Sequence, residues 1–147
     1  KFEMSKKSKT NNLEEFVNKL EDENAITSKN LKLLQEPPVN EIDMKLIMKT
    51  SFEQDKLKNL SEEEKIDKLV KLKTICLDWM NIKKIDKLDV FTQLETLYLQ
   101  HNIIEKIEGL DMLENLEYLA LNSNKIKKIE NLEHLENLAL LNLEDNQ

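Results

Sequence analysis

The sequence predicts an α/β solenoid with a parallel β-sheet on its concave side and an N-terminal helical cap and tail. Two observations predict the solenoid and a third predicts the cap. A pattern of 22 residues recurs without insertion through the second half of the chain. Within each unit, leucines alternate with other residues over a short span, the period of a strand with one buried face. Ahead of the first unit, Ser61-Glu62-Glu63-Glu64 has the form of a helix capping box. The chain divides accordingly into a tail over 1–39, a helical cap over 40–71 and about three and a half repeats over 72–147.

The repeat is read by alignment, which comes before any other sequence argument. Leu94, Leu97, Leu99 and Asn102 align with Leu116, Leu119, Leu121 and Asn124, and again with Leu138, Leu141, Leu143 and Asn146. One period earlier stand Leu72, Ile75 and Leu77, with Met80 in the Asn position. The remainder of the unit keeps step: Ile82, Ile104 and Ile126; Ile85, Ile107 and Ile129; Leu88, Leu110 and Leu132; Phe91, Leu113 and Leu135. One such unit cannot bury its apolar side, so units must stack, with strands paired in parallel about 4.8 Å apart. The Asn closing each strand suits the backbone groups of the turn that follows. The apolar positions after it, Ile129 included, pack inward. Gly109 and Asn131 share a repeat position and tolerate positive φ, which predicts a helical or 3₁₀ turn starting there. Lys87 and Met80 are departures in the first unit, where a solenoid meets its cap.

The pattern L-x-x-L-x-L-x-x-N, with the stretch from Leu97 to Leu110, resembles the 22-residue class of leucine-rich repeats. It is similar to the repeats of the leucine-rich regulatory subunit of protein phosphatase 1, of light chain 1 of outer-arm axonemal dynein, and of small ciliary leucine-rich-repeat proteins. The resemblance covers residues 72–147. It implies a non-enzymatic protein–protein interaction or structural module, set in the cytoplasm within a ciliary axonemal complex such as a radial spoke or a dynein-associated assembly. A regulatory subunit that targets a protein phosphatase is an alternative, although four repeats are short for that role. A repeat protein supporting an RNA binder is a third.

The cap is read from two helices. The one behind Ser61 runs to about Lys71, with Ile66, Leu69, Val70 and Leu72 on one face, and is expected to cover the open edge of the first strand. Asn40 is a candidate cap for a short helix bearing Met44, Ile47 and Met48. Pro37-Pro38 is a stiff break. Upstream, Leu13, Phe16, Val17 and Leu20 fall at i, i+3, i+4 and i+7, an amphipathic stripe behind Asn12 that serves as a tail anchor, either folded back on the cap or held by a partner. The chain ends just after the fourth strand, so further sequence is expected to cover the last layer.

Composition narrows the function. The net charge is -7, and all 22 basic residues are lysine. Residues 72–147 hold 8 Lys against 14 Asp and Glu, a balance that repels a phosphate backbone and argues against direct nucleic-acid binding. A single glycine excludes glycine-rich phosphate loops. One cysteine excludes an internal disulfide framework and fits a reducing compartment. No apolar run is long enough to span a membrane.

The strand positions between the leucines form the concave surface. Its rows read Thr74, Thr96, Tyr118, Leu140; Cys76, Tyr98, Ala120, Asn142; Asp78, Gln100, Asn122, Glu144; and Trp79, His101, Ser123, Asp145. The single Trp and both Tyr lie there, the residue types that dominate protein interfaces. Asp78, Trp79, Tyr98, Gln100, His101, Tyr118, Asn122, Asn142 and Glu144 are therefore the candidate partner-binding residues, for a helix or loop of a larger assembly. His101 and His134 lack the spacing of metal ligands, and His134 is expected to be solvated. Cys76 beside Asp78 lacks an activating base. Lys84, Lys106 and Lys128 beside Asp86, Glu108 and Glu130 read as a mutually paired edge. Neither a catalytic site, a metal, a cofactor nor a small-molecule substrate is expected.

Overall fold

The computed structural model describes residues 38–147, which form one compact unit. The stripe of Leu13, Phe16, Val17 and Leu20 lies outside the described residues. Among the described residues, three helices precede four strands: α1 (Met44–Ser51), α2 (Gln54–Leu57), α3 (Glu62–Val70), β1 (Thr74–Cys76), β2 (Thr96–Tyr98), β3 (Tyr118–Ala120) and β4 (Leu140–Asn142). The sheet order is β1-β2-β3-β4, all parallel. Its register pairs Thr74 with Thr96, Thr96 with Tyr118 and Tyr118 with Leu140, the 22-residue alignment itself.

Inter-strand bonding runs past the three-residue strands. The N–H of Leu77 donates to the Tyr98 carbonyl at 2.9 Å, and that of Trp79 to the Gln100 carbonyl at 3.2 Å. The leucine ladder is enclosed through the first three strands, where Ile75, Leu77, Leu97, Leu99, Leu119 and Leu121 are all solvent-free, while Leu141 and Leu143 of the fourth are half-buried. Return segments close the other side of this core with Ile85, Leu88, Phe91, Leu94 and their equivalents. These segments are not helical. Each makes two successive i→i+3 turns, as in Leu113 to Leu110 and Leu116 to Leu113, at 2.9 and 3.0 Å. Lys87, Gly109 and Asn131 enter them with φ of 60°, 67° and 59°, so the departure at Lys87 leaves the backbone unchanged. At Gly109 a Cβ would meet the backbone oxygen of Ile85 at 2.6 Å.

Ile129 is a correction to the inward pattern. It is 67% exposed where Ile85 and Ile107 are 0%. Among the described residues a further return segment follows those of Ile85 and Ile107 but none follows that of Ile129, which leaves this side chain open to solvent while Ile126 and Leu135 of the same unit stay buried.

The asparagine ladder ties one layer to the next. Asn102 accepts the Met80 and Ile82 N–H groups at 3.0 Å and donates to the Leu77 and Leu99 carbonyls at 2.8 and 2.9 Å. Asn124 and Asn146 repeat the arrangement on Ile104 and Ile126. Met80 lacks such a side chain, but among the described residues no repeat lies beneath it. The cap supplies the bonds instead: Asn40 pairs as an isolated parallel bridge with Ile82 and donates its side-chain amide to the Met80 carbonyl at 2.6 Å.

The cap itself differs from expectation in three respects. Asn40 caps no helix; Asp43 does so for α1, accepting the Leu46 N–H at 2.6 Å. The element packed against β1 is α1, which drives Ile47 into the core beside Ile42. The helix behind Ser61 keeps its capping box and its expected end, at Val70 with Lys71 as the C-cap, but not its expected face. It buries Leu69 while leaving Ile66 55% exposed. An apolar period marks a face, but only tertiary packing decides how much of that face is covered.

Candidate functional site

The face of the sheet turned away from the leucine ladder carries the candidate residues, and the repeat explains their arrangement. Side chains alternate across a strand, so the residues between buried leucines must point outward. Neighbouring strands then bring equivalent positions side by side. Tyr98 and Tyr118 sit on adjacent strands, offset by two residues in the register and so on the same face, half-buried, with ring centroids 5.4 Å apart and planes tilted by 51°. Ala120 beside them is buried, whereas Leu140 at the far edge is exposed.

Past each strand, Trp79, His101, Ser123 and Asp145 all adopt left-handed backbone, with φ between 55° and 59°. For residues other than glycine this conformation costs about 1–2 kcal/mol. Nothing in the residue types announces it; the shared repeat position was the only available signal. Identical backbone on strands about 4.8 Å apart projects side chains in parallel. As a result the Trp79 and His101 rings stack at 4.1 Å with planes only 15° apart. Trp79 is nonetheless 72% exposed.

The polar candidates fall between these two aromatic pairs. Asp78, Gln100 and Asn122 are half-buried in one row that ends at exposed Glu144. The Gln100 side-chain oxygen is enclosed and has no hydrogen-bond partner. Asn142 is turned back on its own chain, its side-chain oxygen accepting the Glu144 N–H at 3.0 Å. Cys76 is exposed; partial burial raises its thiol pKa, and the charge of Asp78 raises it further, so the unreactive thiol form is favoured at neutral pH.

The opposite edge is electrostatically self-contained. Lys84 pairs with Asp86 at 3.4 Å, Lys106 with Glu108 at 3.8 Å and Lys128 with Glu130 at 2.8 Å. His134 is not solvated as expected; it is half-buried, its Nε2 3.0 Å from the Leu110 carbonyl. Asn131, Asn115 and Asn137 likewise donate to carbonyls one repeat earlier. Among the described residues, no group of three or more His, Cys, Asp or Glu side chains is placed to hold a metal ion. Nor is any described helix long and apolar enough to cross a membrane.

The match to known families falls in the middle of this sheet. Residues 92–134 match the family model described as Leucine Rich repeats (2 copies). This stretch is similar to leucine-rich repeats. The same register extends to β1 and β4 on either side, so the whole sheet is a leucine-rich-repeat solenoid. No curated protein matches the chain. Leucine-rich repeats are a protein–protein interaction module, and their usual role is non-enzymatic.

Proposed function

We infer that the chain is a non-enzymatic interaction module whose open sheet face receives a helix or loop of a partner protein. The observation that carries this reading is the pair of aromatic contacts on a face the core does not use. The leucine ladder is closed without them, so Trp79, Tyr98 and Tyr118 leave apolar surface available to a partner. The likeness of the Leu97–Leu110 stretch to ciliary leucine-rich-repeat proteins supports an axonemal complex as the setting. The test is a photo-crosslinking amino acid placed at position 98 and, as a control, at position 84 on the paired edge, in cells that express the native assembly. The reading expects adducts to one axonemal protein from position 98 and none from position 84. Adducts from position 84 alone would overturn it.

A further inference from the structure

Stacking by His101 occupies one face of the Trp79 ring and leaves the other outward. An indole 72% exposed beside a partner-binding face is an unfilled contact. The charge of the open face selects what can fill it. Asp78 precedes Trp79 in the chain, Glu144 and Asp145 stand three strands away at the far end of the same two rows, and the four rows carry no lysine. On the far edge, Lys83, Lys84, Lys106 and Lys128 are already paired with carboxylates. A nucleobase could stack on the ring, but its phosphates would meet those carboxylates. A purely aliphatic group would leave the negative potential unused. A planar cation satisfies both features, because a guanidinium stacks on an aromatic face and is drawn to carboxylates. The chain contains no arginine, so that group can only come from another molecule.

We propose that the outward face of Trp79, backed by His101 and flanked by Asp78, is a docking platform for an arginine side chain of the partner protein. The proposal rests on the open-face reading above and names the chemistry of its occupant. His101 fixes the indole plane in advance, so binding does not have to order that side chain. Asp78, the preceding residue in the chain, contributes the counter-charge.

Trp79 is the single tryptophan, so its emission reports this site alone in the full chain. The probes are capped octapeptides of alternating Arg-Gly, Lys-Gly and Glu-Gly, titrated at constant ionic strength. The expected result is a saturable change with the Arg-Gly peptide, binding at least about threefold tighter than Lys-Gly, and none with Glu-Gly. For the variants, anisotropy of a labelled Arg-Gly peptide replaces emission. Trp79→Ala and Trp79→Leu should each weaken binding at least about fivefold and abolish the preference for Arg over Lys, while Tyr98→Ala leaves that preference intact. Equal affinity for the Arg and Lys peptides, or Trp79→Leu binding as tightly as the parent, would overturn the platform. With the native partner, loss of binding in Tyr98→Ala but not in Trp79→Ala would overturn the platform and leave the open-face reading standing.

Discussion

The side-chain oxygen of Asn102 accepts the backbone N–H of Ile82, twenty residues earlier, at 3.0 Å. The same side chain holds the carbonyls of Leu77 and Leu99, so one amide joins two layers. Leucine at this position would leave the Met80 and Ile82 N–H groups and the Leu77 carbonyl without that partner, while the Leu99 carbonyl keeps a bond from Asn124 at 2.9 Å. Each buried orphaned group costs about 1–3 kcal/mol. Asn102→Leu is expected to destabilise the protein by about 3 kcal/mol in urea titration. Asn146→Leu breaks similar bonds, but its site is half-exposed and water can replace them. It should cost about 1 kcal/mol. Equal losses at the two positions would show that the ladder does not work through buried backbone groups.

The cap supplies the second prediction. Ile47 on α1 is fully buried against the first layer, whereas Ile66 on α3 is 55% exposed. Truncating Ile47 to alanine removes buried methyl groups and leaves a cavity, for an expected loss of about 3 kcal/mol. Ile66→Ala should fall within about 0.5 kcal/mol of the parent. The reverse order would return the capping role to α3.

These elements show what the residues disclose and what they do not. The sheet register was legible because a strict 22-residue period admits one stacking, and Thr74, Thr96, Tyr118 and Leu140 pair as aligned. The outward placement of Tyr98 and Tyr118 followed from the same alternation. The cap was less legible. Ile47 and Ile66 both lie on apolar stripes, and no local rule says which stripe meets β1. Nor could the residue types foretell left-handed backbone at Trp79 and His101, which favours Gly or Asn elsewhere. The turn between strand and ladder asparagine imposes it, and the ring stack follows from that. His134 looked solvated in a polar segment, but a carbonyl one repeat earlier lies within its reach.

Acid should act through a few carboxylates. The Ser61 backbone N–H bonded to Glu64 lowers its pKa, and the Ser61 side chain adds to this. The bond from Lys128 lowers that of Glu130, and the Lys87 backbone N–H that of Asp86. A carboxylate depressed on folding stabilises the fold above its unfolded value, roughly 4, and loses that contribution as pH falls through the folded value. Lys73 and Lys128, raised by bonds to Glu95 and Glu130, work in reverse, and their contribution fades as pH rises past roughly 10.4. All these groups are exposed, so each effect is small. The melting temperature should hold between roughly pH 6 and 9 and fall below roughly pH 4. Glu64→Gln should shallow the acid fall measured by circular dichroism. An unchanged acid limb would remove the capping box from the pH dependence.

The last prediction separates folding from binding on the open face. Four strands span three spacings of roughly 4.8 Å, a strip about 14 Å wide. An α-helix with its side chains is about 10–12 Å across, so the strip accommodates one helix or one loop and not a broad globular surface. Tyr98 and Tyr118 stand on this strip and touch each other at 5.4 Å, but neither contributes to the leucine core. Tyr98→Ala with Tyr118→Ala should therefore cost stability only the ring contact, about 1 kcal/mol. Binding to the partner identified by crosslinking should weaken by at least about 2 kcal/mol, because central aromatic residues carry much of an interface's energy. Thermal melts and calorimetric titration of the same double variant measure the two quantities. A large loss of stability would mean that the rings belong to the core. Unchanged binding would move the interface to the paired edge or to the N-terminal region.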